Sequence, residues 1–352
     1  MLRQIFSTVF NCVTIFAVLL AILLSFSVRA DDIVVGVTAL TVQSPERTAP
    51  LNVMVWYPAR GGGETTSVGQ NAVFEGTVAQ KNAVVASGRF PTVLLSHGGM
   101  RSAPNQSAWL ASHLVKNGFI VVDVKAPPLG YDDAPQANAE LWKRPADISA
   151  TLTALENSPE WTRHIDHQKI GAVGFFLGGT SVLSLVGANI EAERFVSSCD
   201  EINMGMDCVW FEKFDVDLRK IDLTDLQKIQ RDKRIQGTVL VDPELTESFS
   251  DQSLSSVNIP VSIINLGTAE TIPKALNASS LVKNIPRSDY SIIESASRYS
   301  AFNVCKPKGA YILKEEGAGD EICVSDVKVG REKIHNQMAN LIIQALNLYL
   351  QN

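Results

Sequence analysis

Ile170-Gly171-Ala172-Val173-Gly174-Phe175-Phe176-Leu177-Gly178-Gly179-Thr180-Ser181 reads as a strand that runs into a tight glycine turn and out into a helix. The apolar start suits a strand buried on both faces. Gly174 and Gly178 stand two residues either side of one centre. That is the G-x-S-x-G frame, in which a strained strand-to-helix turn presents a serine hydroxyl. The centre here is Phe176, and a phenyl ring cannot attack a carbonyl. The spacing predicts the scaffold of a nucleophile site without its reacting atom.

Upstream, residues 33–40 and 51–57 read as two strands joined through a Ser-Pro turn region, the second with the alternation of a half-exposed antiparallel strand. Residues 61–69 read as a loop. Pro91-Thr92-Val93-Leu94-Leu95-Ser96 is a short apolar run ending in His97-Gly98-Gly99, as a buried parallel strand would be. A helix over about 105–117, closed by Gly118, and a strand at 119–124 follow. Arg144-Pro145-Ala146-Asp147 predicts a helix start with proline in its first turn, and Ile148, Leu152 and Leu155 then share one face. Strand 169–173 leads into the opening stretch, whose helix spans 177–186.

Downstream, residues 191–235 break the rhythm. They are polar, carry two cysteines, and read as an insertion or cap with a helix near 223–231. Strands at 237–241, 259–266 and 290–293 resume the sheet. A final helix over about 331–350 places Ile334, Met338, Leu341, Ile342 and Ala345 on one face. Alternating strands and helices imply a mainly parallel central sheet with helices on both faces. Together with the glycine frame, this predicts an α/β-hydrolase fold over residues 31–352, with the insertion at about 191–235.

The first 30 residues stand apart. Arg3 gives a positive start, residues 13–24 are almost wholly apolar, and Val28-Arg29-Ala30 ends in small residues before Asp31-Asp32. This is the pattern of a secretory signal peptide cleaved after Ala30, and it predicts an exported protein, periplasmic or secreted. Left uncleaved, the stretch would be a membrane anchor. Once cleaved, it leaves no stable membrane insertion. The whole sequence has 352 residues, 45% of them hydrophobic, and a net charge of −6; losing Arg3 and Arg29 makes that −8. An acidic balance argues against nucleic acid or an anionic membrane surface as partner.

Beyond the leader, Cys199, Cys208, Cys305 and Cys323 remain. An even count in an exported chain reads as disulfides. Proximity favours Cys199–Cys208 and Cys305–Cys323, with the other two connectivities open. No C-x-x-C is present, so no zinc or redox site is expected.

From about Leu51 to its end the chain resembles the exported bacterial predicted dienelactone hydrolases, relatives of the platelet-activating-factor acetylhydrolases. The resemblance rests on Val55-Trp56-Tyr57-Pro58-Ala59, Leu95-Ser96-His97-Gly98-Gly99, Arg144-Pro145-Ala146-Asp147 and the glycine frame. It continues through Val241-Asp242-Pro243-Glu244-Leu245 and Cys305-Lys306-Pro307-Lys308-Gly309. It implies a serine esterase ancestry, small acyl esters or lipid-like molecules as ligands, and no metal or organic cofactor. The family's nucleophile slot falls on Phe176 and its acid slot on Asp242. Its histidine slot falls in Ser297-Arg298-Tyr299-Ser300-Ala301-Phe302, at Arg298. The resemblance further assigns the oxyanion hole to the backbone N–H groups of Gly99 and Leu177.

A serine triad needs a hydroxyl, a base to take its proton, and a carboxylate to orient that base. Phe176 removes the first. Arg298 stays protonated and cannot be the second. Of the other candidates, Thr180 and Ser181 lie behind the tip of the turn and read as helix-packing residues. His97 closes a strand, His335 sits on the last helix, and Glu270 reads as a loop carboxylate. Arg298 beside Asp242 would form an ion pair in place of the histidine–aspartate pair. The expectation is a catalytically impaired pseudo-esterase that uses its old pocket for binding. The alternative is an active carboxylic-ester hydrolase with a rearranged site.

Overall fold

Ten strands form one sheet in the order β10-β9-β8-β7-β5-β6-β2-β1-β4-β3. They are β1 (Val34–Val42), β2 (Leu51–Ala59), β3 (Glu64–Val68), β4 (Thr77–Lys81), β5 (Phe90–His97), β6 (Ile120–Val124), β7 (Ile165–Phe175), β8 (Ile235–Val241), β9 (Val261–Leu266) and β10 (Ser288–Ile293). The computed structural model describes residues 33–99, 104–127, 129–200, 206–229, 231–317, 321–326 and 328–350. The expected leader lies outside the described residues. Among the described residues no helix is long and apolar enough to cross a membrane.

Strands β5 to β10 run parallel to their neighbours. β2 joins them antiparallel to β6, and β1 lies antiparallel to β2. Every residue of β6 and β9 is buried, as expected of central strands covered on both faces. Helices α1 (Ala108–Lys116) and α4 (Arg331–Leu350) pack together on one side, and α2 (Glu140–Asn157) and α3 (Leu177–Leu185) on the other. Two glycines let α4 approach closely: a Cβ on Gly237 would sit 2.7 Å from the Tyr349 side chain, and one on Gly171 3.0 Å from Leu346. The mainly parallel sheet with helices on both faces is therefore present.

Three local expectations change. The 61–69 loop contains β3, which pairs antiparallel with β4, and β4 pairs parallel with β1. Glu64-Thr65-Thr66-Ser67-Val68 is largely exposed, and an edge strand facing water carries little apolar signal. Helix α2 begins at Glu140 rather than at Arg144, and Pro145 lies inside it. Glu140 is clamped by Arg47 (Nη1 at 2.5 Å, Nη2 at 2.9 Å) and by Arg144 Nε (3.0 Å). Those contacts fix the first turn despite the proline further along. The helix expected at 223–231 is only a 3₁₀ turn over Thr224–Lys228, entered through Asp222, whose Oδ1 accepts from Thr224 N at 2.9 Å.

Both disulfides expected from proximity are formed, Cys199–Cys208 and Cys305–Cys323. The second clasps a satellite core of Val73, Phe74 and Leu313 beside the main one. Residues 73–75 are zipped to 304–306 by Glu75 N–H to Val304 O (2.7 Å) and Lys306 N–H to Val73 O (2.8 Å).

Candidate active site

Phe175 and Val241 are opposite one another in the paired strands β7 and β8, and each strand ends in a sharp turn. Phe176, the next residue, has φ 55° and ψ −126°, a conformation that bulky residues rarely adopt and that costs free energy to hold. The flanking glycines make the bend possible. A Cβ on Gly174 would lie 2.4 Å from the Gly178 carbonyl oxygen, and one on Gly178 would lie 2.2 Å from that of Ser96. Phe176 N–H donates to Val241 O at 3.1 Å, and Glu244 N–H donates to Phe176 O at 3.2 Å. Thr180 Oγ1 donates to Glu244 O at 2.5 Å and Ser181 Oγ to Leu177 O at 2.8 Å. Both hydroxyls are thus spent on packing the helix.

The Phe176 ring is only 5% exposed. It meets His97 edge-on, with ring centroids 5.7 Å apart, and stacks on Phe302 at 6.0 Å. His97 also packs against Phe175 at 5.0 Å and Phe302 at 5.9 Å. Where a serine hydroxyl would lie beside a base, this site has an aromatic cluster. Among the described residues neither His97 ring nitrogen makes a hydrogen bond of good geometry. The Ala301 carbonyl accepts from Trp109 Nε1 at 3.0 Å and also faces His97, where it opposes the loss of the imidazole's proton. Burial pushes the His97 imidazole down to about 4, so it stays neutral and is a poor base near neutral pH.

Asp242 follows β8 and is fully buried. Oδ1 accepts from Asn265 Nδ2 at 2.7 Å and from Leu266 N–H at 2.9 Å. Oδ2 has no partner. Burial pushes the carboxyl up to about 7, opposed by the Asn265 and Leu266 hydrogen bonds and by the charge of Arg298. The Asp242–Arg298 ion pair expected from the sequence is not formed among the described residues. Arg298 lies in a 3₁₀ turn over Arg298–Ala301, and its guanidinium carbon sits 5.5 Å from the Tyr299 ring centroid. Ser297 caps this turn, its Oγ accepting from Tyr299 N–H at 3.2 Å.

That loop is held from all sides. His335 Nε2 lies 2.9 Å from Ser300 O and 3.0 Å from Phe302 O, which places the proton on Nε2, and its ring stacks on Trp109 at 3.8 Å. Burial and the Arg331 charge push His335 down to about 3. Asp326 Oδ1 accepts from Ser300 Oγ at 2.7 Å and Oδ2 from Arg331 Nε at 2.7 Å. His335 is thus a buried anchor of the loop. Glu270 is an exposed loop residue.

Beyond the end of β5, Arg144 is 5% exposed and donates to Gly98 O at 2.9 Å and to Gly99 O at 2.8 Å. It fixes the loop that closes β5. Leu177 begins α3, so its N–H has no acceptor within the helix. Phe176, Leu177, Asp242 and Gly99 therefore gather at the C-terminal ends of β5, β7 and β8, and Arg298 reaches Asp242 only through its charge. Among the described residues no group of three or more His, Cys, Asp or Glu side chains is placed to hold a metal ion.

Sequence reading missed Asn265, Phe302 and the clamping role of Arg144. Asn265 had a signal: it is a polar residue inside the otherwise apolar run Val261-Ser262-Ile263-Ile264-Asn265-Leu266. It is fully used, donating also to Leu276 O (2.7 Å) and accepting from Ala278 N–H (2.9 Å) and Tyr290 Oη (3.1 Å).

No protein-family model and no curated protein matches the chain. Among solved structures it is similar to a ferulic acid esterase from Streptomyces cinnamoneus, at 17% identity and a TM-score of 0.62 over 92% of each chain. It also matches a dienelactone hydrolase from Anabaena variabilis, at 13% identity and a TM-score of 0.45 over 89% of this chain and 97% of that one. At 17% identity the first of these likenesses speaks to architecture. The sheet order, the strained turn between two glycines and the esterase likeness lead to one conclusion: the chain has the α/β-hydrolase fold.

Proposed function

We propose that this protein is an exported pseudo-esterase: an α/β-hydrolase-fold protein, akin to the dienelactone hydrolases and acetylhydrolases, that binds a small acyl ester or lipid-like molecule in its old pocket without hydrolysing it. The observation that carries this reading is Phe176 at the tip of an intact elbow, with its ring packed on His97 and Phe302. The backbone of a nucleophile site is retained while the hydroxyl and its base are gone. In a triad used as template, losing the nucleophile alone costs about a million-fold in turnover. The two disulfides are compatible with export.

The test uses purified protein, short-chain p-nitrophenyl esters and a fluorophosphonate probe. The expected result is no probe labelling and no turnover above that of an Asp242→Ala variant. Labelling, or turnover that Asp242→Ala abolishes, would establish a working hydrolase with a rearranged site.

A further inference from the structure

The other end of the sheet carries a second feature. A groove of about 660 Å³ opens where β2 ends and β5 and β7 begin, and Arg60, Arg89 and Arg163 line it. Those three guanidinium groups have no hydrogen bond, ion pair or ring contact among the described residues. Every other described arginine has one: Arg47, Arg144, Arg194, Arg219, Arg234 and Arg331 with carboxylates, Arg231 and Arg287 with Asn258, and Arg298 with Tyr299. On a chain of net charge −6, all the unpartnered arginines among the described residues line one groove.

The three come from different segments, and the backbone fastens those segments together. Arg60 N–H donates to Val84 O at 2.9 Å, Val84 N–H to Gly61 O at 3.1 Å, and Ala86 N–H to Pro58 O at 2.8 Å. Phe90 N–H donates to His164 O at 2.8 Å, and His164 Nδ1 lies 3.3 Å from Gly88 O. The frame is therefore set before any ligand arrives, which lowers the cost of ordering on binding. Glu160 is the one acid in the lining, and Val84, 61% exposed, adds an apolar wall.

A guanidinium presents a planar fork that matches the oxygens of a carboxylate or a phosphate. One carboxylate is satisfied by one fork. Three forks call for a ligand with more charge and more acceptor oxygens. We propose that this groove binds a ligand carrying phosphate groups, held by Arg60, Arg89 and Arg163. The site is separate from the elbow: β7 runs from the groove to Phe175 over 11 residues, roughly 33 Å of strand.

The probe is inorganic pyrophosphate, titrated calorimetrically into the purified protein, with phosphatidylcholine vesicles containing phosphatidylglycerol in a parallel sedimentation assay. Binding is expected to weaken about tenfold in Arg89→Gln and in Arg163→Gln, and to fall with added salt. Glu160→Gln is expected to tighten it, a gain that a misfolded variant cannot produce. Pyrophosphate binding alone identifies a soluble phosphate compound. Vesicle binding lost in the same arginine variants identifies a lipid headgroup. Absence of both, or binding that the arginine and Glu160 variants leave unchanged, overturns the proposal.

Discussion

Phe176 holds a backbone conformation that costs on the order of 1–3 kcal/mol, and its buried ring offsets that cost through contacts with His97 and Phe302. Phe176→Ser keeps the strain and removes the ring. The expected loss is about 3 kcal/mol, near the lower end for truncating a buried phenylalanine, read from the urea midpoint. Esterase activity should not appear, because His97 and Arg298 supply no base. Asp242 allows a test that does not depend on activity. Its carboxyl is held at about 7, against about 3.9 in an unfolded chain. The folded state keeps a proton that the unfolded chain has lost, so this contribution is full below about 4 and is lost as pH rises through about 7. Neutral His97, held at about 4, contributes above the unfolded value of about 6.5 and is lost as pH falls through about 4. The two windows overlap, so between about 4 and 6.5 the Asp242 loss and the His97 gain oppose each other and largely cancel. Asp242→Asn should remove the Asp242 loss and leave stability that rises with pH between about 4 and 6.5; midpoints of wild type and variant that run parallel from acid to alkaline would show that Asp242 does not titrate there. Phe176 and Asp242 were legible because a glycine frame and a strand end mark their positions. Phe302 was not, since nothing local says that a residue 126 places downstream of the elbow will stack on it.

Helix α2 carries the clamp on the loop that closes β5 as part of a buried ionic group. Arg47 spans Glu140 and Asp147, while Arg144 spans Glu140 and the carbonyls of Gly98 and Gly99. Removing one partner of a buried pair costs about 3–5 kcal/mol. Arg144→Met should fall at the lower end, because Arg47 still neutralises Glu140. Arg47→Met should cost more, because Asp147 then has no cation. Only Arg144→Met should speed hydrogen exchange in the backbone around residues 97–99. If both variants loosen that loop equally, Arg144 is not its specific clamp. The sequence contained the four charges, but Arg47 lies about a hundred residues from its partners, and only the fold brings them together. The same limit explains why α2 starts earlier than Pro145 suggested and why β3 was hidden. Apolar periodicity marks elements that bury a face, and β3 buries almost none. The central strands and α4, whose buried stripe includes Ile334, Met338, Ile342 and Leu346, were legible for the converse reason.

Across the whole molecule the two ends of the sheet should behave independently. Changes at sites far apart with no shared partners usually add, so Phe176→Ser should leave pyrophosphate affinity unchanged. The disulfides, by contrast, should act unequally on the aromatic cluster around Phe176. Cys305–Cys323 closes 18 residues and Cys199–Cys208 closes 9, which on chain entropy alone makes the first worth only slightly more, about 3 kcal/mol. Position separates them further. Phe302 and Cys305 both pack against the satellite core of Val73, Phe74 and Leu313, and the bridge between Phe74 and Cys305 ties that core to the chain just after the Arg298 turn. Cys199–Cys208 lies in the segment between α3 and β8, with Cys199 packed at the margin of the main core. Replacing Cys305 and Cys323 together by serine should therefore lower stability by about 3 kcal/mol and speed exchange over residues 298–303, loosening the ring that covers Phe176. Replacing Cys199 and Cys208 should leave exchange over 298–303 at the wild-type rate. Equal acceleration in both double variants would mean that the loop senses global stability rather than its own clasp, and that Phe302 is held by the main core alone.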